Sequence, residues 1–296
     1  DESIGEIMGL TMGTGPFGKK PAGTFNFEPD PPKGHALYLE PSPRRVRGVI
    51  GGETVVDSCH VALLHETGYL PIWYFPRSDV RFDLLEATEH TTHCPFKGDA
   101  SYWTIRAGGK LAENKVWGYP EILPDTPDIT DRVAFYWDAV EHWYEEDEEV
   151  FVHPRDPYHR VDLVPSSRTV RVSLDGVVLA ESSRPLACFE TNLPTRWYLP
   201  KDDLAVAYEP SRRTTRCPYK GSASYWNVGG NDDIAWSYED PIAAAAPLEG
   251  LVAFYDEVVD VDIDGERQER GYSPFAQAGA LKDRGVAAQV GSNAPR

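Results

Sequence analysis

Apolar and polar residues alternate along much of this chain with a period of two, the signature of half-buried β-strands. Arg168–Ser182 alternates on both sides of Asp175-Gly176, a two-residue hairpin signal, and Gly51-Gly52 marks the corresponding turn earlier in the chain. Ser101–Lys110 and Ser224–Asn231 each run from a strand into a Gly-Gly turn. Segments near Lys115–Pro120 and Arg132–Glu141 are rich in aromatic and β-branched residues and read as further strands. A helical period is hard to find anywhere except over Ala134–Glu149.

The strands fall into two copies. TTHCPFKGDASYW (Thr91–Trp103) returns as TTRCPYKGSASYW (Thr214–Trp226), identical at ten of thirteen positions. The likeness extends to His65–Asp79 with Phe189–Asp203, to Lys115–Pro120 with Ile234–Glu239, and to Arg132–Glu141 with Leu251–Asp260. Tryptophans pair as Trp73/Trp197, Trp103/Trp226 and Trp117/Trp236. The organisation expected is an extended, Gly- and Pro-rich arm over 1–43, a first domain over 44–150, a Pro-rich connector over 151–165, a second domain over 166–264 and a flexible tail over 265–296. Each domain is expected to be a small antiparallel sheet or partly open barrel.

Composition narrows the function classes. The chain has 296 residues, 47 acidic against 29 basic, and a net charge of −18, which argues against a nucleic-acid partner. No run of 18 apolar residues exists, so no membrane span is expected. The first residues lack the basic and apolar regions of a signal peptide, and Met8 or Met12 reads as the native start. Cys59, Cys94, Cys188 and Cys217 have no CxxC spacing, which leaves no zinc-ribbon or thioredoxin motif. The thiols are read as reduced and the protein as cytoplasmic. Neither a phosphate-binding glycine loop nor any other cofactor motif is present, so no cofactor is expected.

The string T-x-CP-[FY]-KG-x-ASYW, preceded by E-T and WY-x-P, resembles the family catalogued as domain of unknown function 427, over both copies. The resemblance implies tandem β-tent-like domains and names no reaction. The doubled arrangement with an HPRDPYHRVD connector is similar to a form common in high-GC bacteria. A fold of this kind does not decide function.

Reactive groups concentrate in the repeated motif: Cys94, Lys97 and Tyr102 in the first copy, Cys217, Lys220 and Tyr225 in the second. Alternation points Tyr102 and Tyr225 away from Trp103 and Trp226. Glu66 and Glu190 stand among apolar residues, where a carboxylate pKa rises; each is a candidate general acid or base, or the partner of Lys97 or Lys220. All eight histidines lie at or before His159, and the second copy has Arg184, Phe189 and Arg216 where the first has His60, His65 and His93. His153, Asp156 and His159 recur every third residue in the connector, a low-ranking metal candidate beside a simple strap. Asp260, Asp262 and Asp264 share one strand face, and they and the Glu145–Glu149 run read as solvated edges.

Two functions follow as expectations. The first is a small-molecule enzyme of general acid/base type, performing hydrolysis, elimination or isomerisation in or beside the first domain. Glu66 would be the acid/base, Lys97 the anion-binding group, and Tyr102 or His93 a proton donor, in a pocket of Trp73, Tyr74, Cys94, Trp103 and Trp117. The alternative is a non-catalytic tandem domain that binds a metabolite or a protein. Glu190, Cys217, Lys220, Tyr225 and Trp226 repeat the first-copy set, which favours binding; the uneven histidines favour one specialised site. Oligomeric state is left open.

Overall fold

A computed structural model describes residues 34–191 and 193–270, with residues 10, 11, 15–19, 23, 24 and 26 of the segment before them. Most of the expected arm, both methionines except for their neighbours, and the expected tail beyond 270 lie outside the described residues. Two compact units divide the described chain near residue 156.

The described residues of the first unit form eleven strands: β1 (Leu37–Pro41), β2 (Val46–Ile50), β3 (Glu53–Ser58), β4 (Ala62–Glu66), β5 (Ile72–Pro76), β6 (Leu85–Cys94), β7 (Gly98–Ala107), β8 (Lys110–Gly118), β9 (Arg132–Phe135), β10 (His142–Glu145) and β11 (Glu148–Val150). They form a seven-stranded sheet in the order β1-β4-β5-β9-β8-β7-β6 and a four-stranded sheet in the order β11-β10-β2-β3. The second unit has β12 (Val161–Pro165), β13 (Val170–Leu174), β14 (Val177–Ser182), β15 (Leu186–Glu190), β16 (Arg196–Pro200), β17 (Tyr208–Cys217), β18 (Gly221–Val228), β19 (Asn231–Ser237), β20 (Leu251–Phe254), β21 (Asp260–Ile263) and β22 (Glu266–Arg267). Its sheets run β12-β15-β16-β20-β19-β18-β17 and β14-β13-β21-β22, and the pairs in both units are antiparallel. The protein is therefore mainly β, as two homologous domains in tandem.

Two features differ from expectation. The sheets draw in residues expected in the arm and connector: β1 pairs with β4, Leu37 opposite Glu66, and β12 pairs with β15, Val161 opposite Glu190. The helix considered over Ala134–Glu149 is absent; that stretch is β9, a short 3-10 turn, β10 and most of β11. The aromatics that blurred its period face two different cores.

Strand alternation separates those cores. In the first unit Trp73 and Phe75 point between the two sheets, with Val46, Val116, Val133 and Trp143. Tyr74 points to the other face of the large sheet, with Leu64, Tyr102, Trp117 and Tyr119. The second unit repeats both clusters, around Leu199 and around Tyr198.

Candidate functional site

The large sheet curls far enough for its ends to meet. Glu66 ends β4, one strand in from the β1 edge, and Lys97 sits in the turn joining β6 to β7 at the opposite edge. In a flat sheet four strand spacings would separate β4 from β7, about 19 Å. Instead Lys97 Nζ donates to Glu66 Oε2 at 2.5 Å. His35, just before β1, donates from Nε2 to Glu66 Oε1 at 2.9 Å, its ring stacked on Phe96 with centroids 3.7 Å apart. The turn presents Lys97 because Gly98 takes φ 108°, in the left-handed region, where an added Cβ would lie 3.2 Å from the Glu121 carbonyl.

The second unit builds the same clasp. Glu190 accepts from Lys220 Nζ and, at 3.1 Å, from His159 Nε2. The His159 ring stacks on Tyr219 at 4.0 Å, and Gly221 has φ 104°. His159 therefore belongs to the second domain as the counterpart of His35, and the histidines are not confined to the first copy. A sequence signal was present: both histidines precede the glutamates by 31 residues, and both are followed by Leu and Pro at matching places (Leu39, Pro41; Leu163, Pro165).

Burial alone would raise both glutamate pKa values, as expected for carboxyls among apolar residues. It does not prevail: the bond from His35 and the charge of Lys97 hold Glu66 below the usual carboxylate range. Lys220 and His159 do the same for Glu190. Lys220 is itself raised, because the Glu190 charge outweighs its burial. Each glutamate is an ionised acceptor already engaged on both oxygens, and neither has the raised pKa of a general acid.

The other sequence-derived residues separate into groups. Tyr102 is buried and hydrogen-bonded to Thr92 at 2.8 Å, and burial raises its pKa; Tyr225 bonds Thr215 at 3.3 Å and Tyr255 at 3.1 Å. Tyr74, Cys94 and Trp117 share the core on the clasp side of the sheet. Cys217 is partly buried, and burial raises its thiol pKa. Trp73 and Trp103 face the other core; Arg77 lies over the Trp103 ring, and Lys201 over Trp226. The expected pocket residues thus lie on opposite sides of one sheet. His93 is exposed on β6 beside Asp99 at 2.6 Å, outside the clasp.

In the connector, His153 Nδ1 donates to the Pro154 carbonyl at 2.6 Å, whereas His159 turns to Glu190. Among the described residues no group of three or more His, Cys, Asp or Glu side chains is placed to hold a metal ion. The Glu145–Glu149 run is not wholly a solvated edge: Glu145 is buried and pairs with Arg44 and Arg155. Asp260, Asp262 and Asp264 pair with Arg267, Arg270 and Arg168.

The copies diverge between their sheets. In the first, Trp143 crosses Gly48 on the neighbouring strand, where an added Cβ would meet its ring at 2.8 Å. Trp73, Trp137 and Trp143 pack together with ring centroids 5.4–5.8 Å apart. In the second, Val172 and Val261 stand opposite each other at the equivalent register, and Asp256 follows Tyr255 where Trp137 follows Tyr136. A cleft of about 450 Å³ lies there, walled by Val164, Phe189, Trp197, Val261 and Ile263, with Asp256 among its polar lining residues. Asp256 pairs with Arg196 at 3.2 Å, and Arg196 also donates to Glu257. Burial raises the Asp256 carboxyl to about 6, against the pull of Arg196. Sequence reasoning missed Arg196, Asp256 and Glu257, since Ile72 and Trp137 stand at the places of Arg196 and Asp256 and only Asp138, at the place of Glu257, is polar.

The profile of the family described as Domain of unknown function (DUF427) matches residues 38–146 and again 162–265. The chain belongs to that family, with two copies of its domain. No curated protein matches the chain.

Proposed function

We propose that this two-domain member of the DUF427 family binds a small molecule without converting it, in the cleft of its second copy. The observation that carries this reading is the contrast between the copies: the clasp is repeated and engaged in both, whereas open space between the sheets is found where two indoles of the first copy, Trp137 and Trp143, are replaced by Asp256 and Val261 while Trp73 is kept as Trp197. The clasp histidines favour neither copy, because His35 and His159 are equivalent; His60, His65 and His93 still have no histidine counterparts in the second copy. A cleft of about 450 Å³ falls within the roughly 300–1,000 Å³ of small-molecule sites. Four free thiols, with no disulfide among the described residues, support a reducing, cytoplasmic setting. No helix among the described residues is long and apolar enough to cross a membrane.

The test is a thermal-unfolding screen of ring-containing amines, carboxylates and neutral compounds. One class should raise the second domain's transition in the wild type. It should not do so in a Val172→Gly/Val261→Trp variant, which restores the first copy's Gly–Trp pair. Equal responses in the two proteins, or none in either, would overturn the reading.

Acid/base catalysis retains one supporting observation. His159 Nδ1 is buried with no hydrogen-bond partner among the described residues while Nε2 is held by a carboxylate, an arrangement that orients an imidazole as a base. On that reading His159→Gln abolishes turnover of a substrate while unfolding stays near wild type; a clasp loses stability instead.

A further inference from the structure

The cleft's chemistry narrows what it accepts. We propose that the second-copy cleft binds a small aryl-alkyl amine, with the ring against Trp197 and Phe189 and the ammonium on Asp256; this rests on the binding reading above. Phe189 lines the cleft together with Val164, 48% and 45% exposed, and its first-copy counterpart His65 is buried.

Charge decides the head group. Asp256 and Glu257 share the one guanidinium of Arg196, so this buried cluster holds one carboxylate more than it holds cations. Glu257 Oε2 is buried with no hydrogen-bond partner among the described residues, consistent with that excess. A ligand ammonium reaching Asp256 would supply the missing positive charge and favour the ionised carboxylate, which burial now opposes. An anionic ligand finds no comparably buried cation in the lining, where the Arg168 and Arg270 side chains are half exposed and Asp256 is 16% exposed. Arg168 and Arg270 line the cleft but are engaged by Asp264 at 2.7 Å and Asp260 at 3.0 Å. At longer range the net charge of −18 attracts cations and repels anions. The ring needs no special recognition beyond the apolar wall and the indole face of Trp197, on which a cation also rests favourably.

Three probes of one ring system separate the terms: tryptamine, indole and indole-3-propionate, titrated calorimetrically into the full chain. Tryptamine should bind saturably and about tenfold tighter than indole, the scale of one charge-assisted hydrogen bond, and indole-3-propionate should bind most weakly. Asp256→Asn should remove tryptamine's advantage and leave indole unchanged. Equal binding of the three probes, or an advantage that survives Asp256→Asn, overturns the amine assignment while leaving the binding reading in place. Failure of all three to bind also overturns it, and the binding reading is then judged by the unfolding screen alone. The wild-type comparison stands even if the variant does not fold.

Discussion

The two domains agree in the clasp that closes the large sheet and disagree between the sheets. His35–Glu66–Lys97 and His159–Glu190–Lys220 match residue for residue, down to the aromatic platform under each imidazole and the left-handed glycine after each lysine. Between the sheets, Trp73 of the first domain is kept as Trp197, while Trp137 and Trp143 give way to Asp256, part of an Arg–Asp–Glu cluster, and Val261. Parts that hold the curled sheet together stayed fixed after duplication. A part that only fills space was free to change, and changing it opened a cleft.

The sharpest way to break that comparison is to remove a clasp cation. Lys97→Met and Lys220→Met each leave a buried glutamate with only an imidazole, and each should cost its own domain about 3–5 kcal/mol. Domain-resolved calorimetry checks this; a loss in one domain only would mean that the clasps are not equivalent. Glu66→Gln should also destabilise, by roughly 2 kcal/mol or more. A functional rather than structural Glu66 would leave the melting temperature nearly unchanged.

Trp143→Val makes the first domain resemble the second at its divergent point. Trp143 is 3% exposed, and the substitution should cost roughly 2–4 kcal/mol, read from denaturant midpoints. An added Cβ at Gly48 meets only the side chains of Trp143 and Val56, so once the indole is gone Gly48→Val can occupy the space, and the loss should persist unless that substitution accompanies it. Rescue by the pair would confirm that Gly48/Trp143 and Val172/Val261 are alternative fillings of one site.

Acid separates the two kinds of buried carboxylate by sign. Glu66 and Glu190 have lowered pKa values, so their stabilisation is present above the ordinary carboxylate range and is lost as pH falls below about 4.3. Asp256 is raised to about 6, so its contribution is fully present below about 3.9 and is lost as pH rises to 6. Stability measured against pH should therefore fall less steeply in acid for Glu190→Gln than for wild type. Asp256→Asn should flatten the profile between pH 4 and 6 and change stability at pH 7 by no more than about 1 kcal/mol, because Arg196 keeps Glu257.

Duplication, hairpins and the opposite facing of Tyr102 and Trp103 were legible in the sequence because they depend on local period and self-similarity. The strands β1 and β12 were not. Their prolines, and the glycines that precede β1, resemble arm and linker, and only pairing with β4 and β15 makes them strands. The Glu–Lys partnership could be anticipated as one of two readings of a carboxylate in an apolar setting. Its geometry could not, since Glu66 and Lys97 meet only because the sheet curls. The cleft was invisible for a related reason: it arises from what Val261 and Asp256 fail to fill, and an unfilled volume leaves no motif.

The clasp also bears on the time course of folding. It joins strands near opposite edges of the sheet, so its contacts can form only after β4 is placed and the β6–β7 hairpin has swung round to meet it. Interactions made that late are missing from the folding transition state, and their loss acts on escape from the native state. In a chevron of Glu66→Gln, the unfolding limb should rise while the refolding limb stays in place. Two buried ion clusters would then serve this protein chiefly as latches that slow its opening, a property set by lifetime rather than by equilibrium.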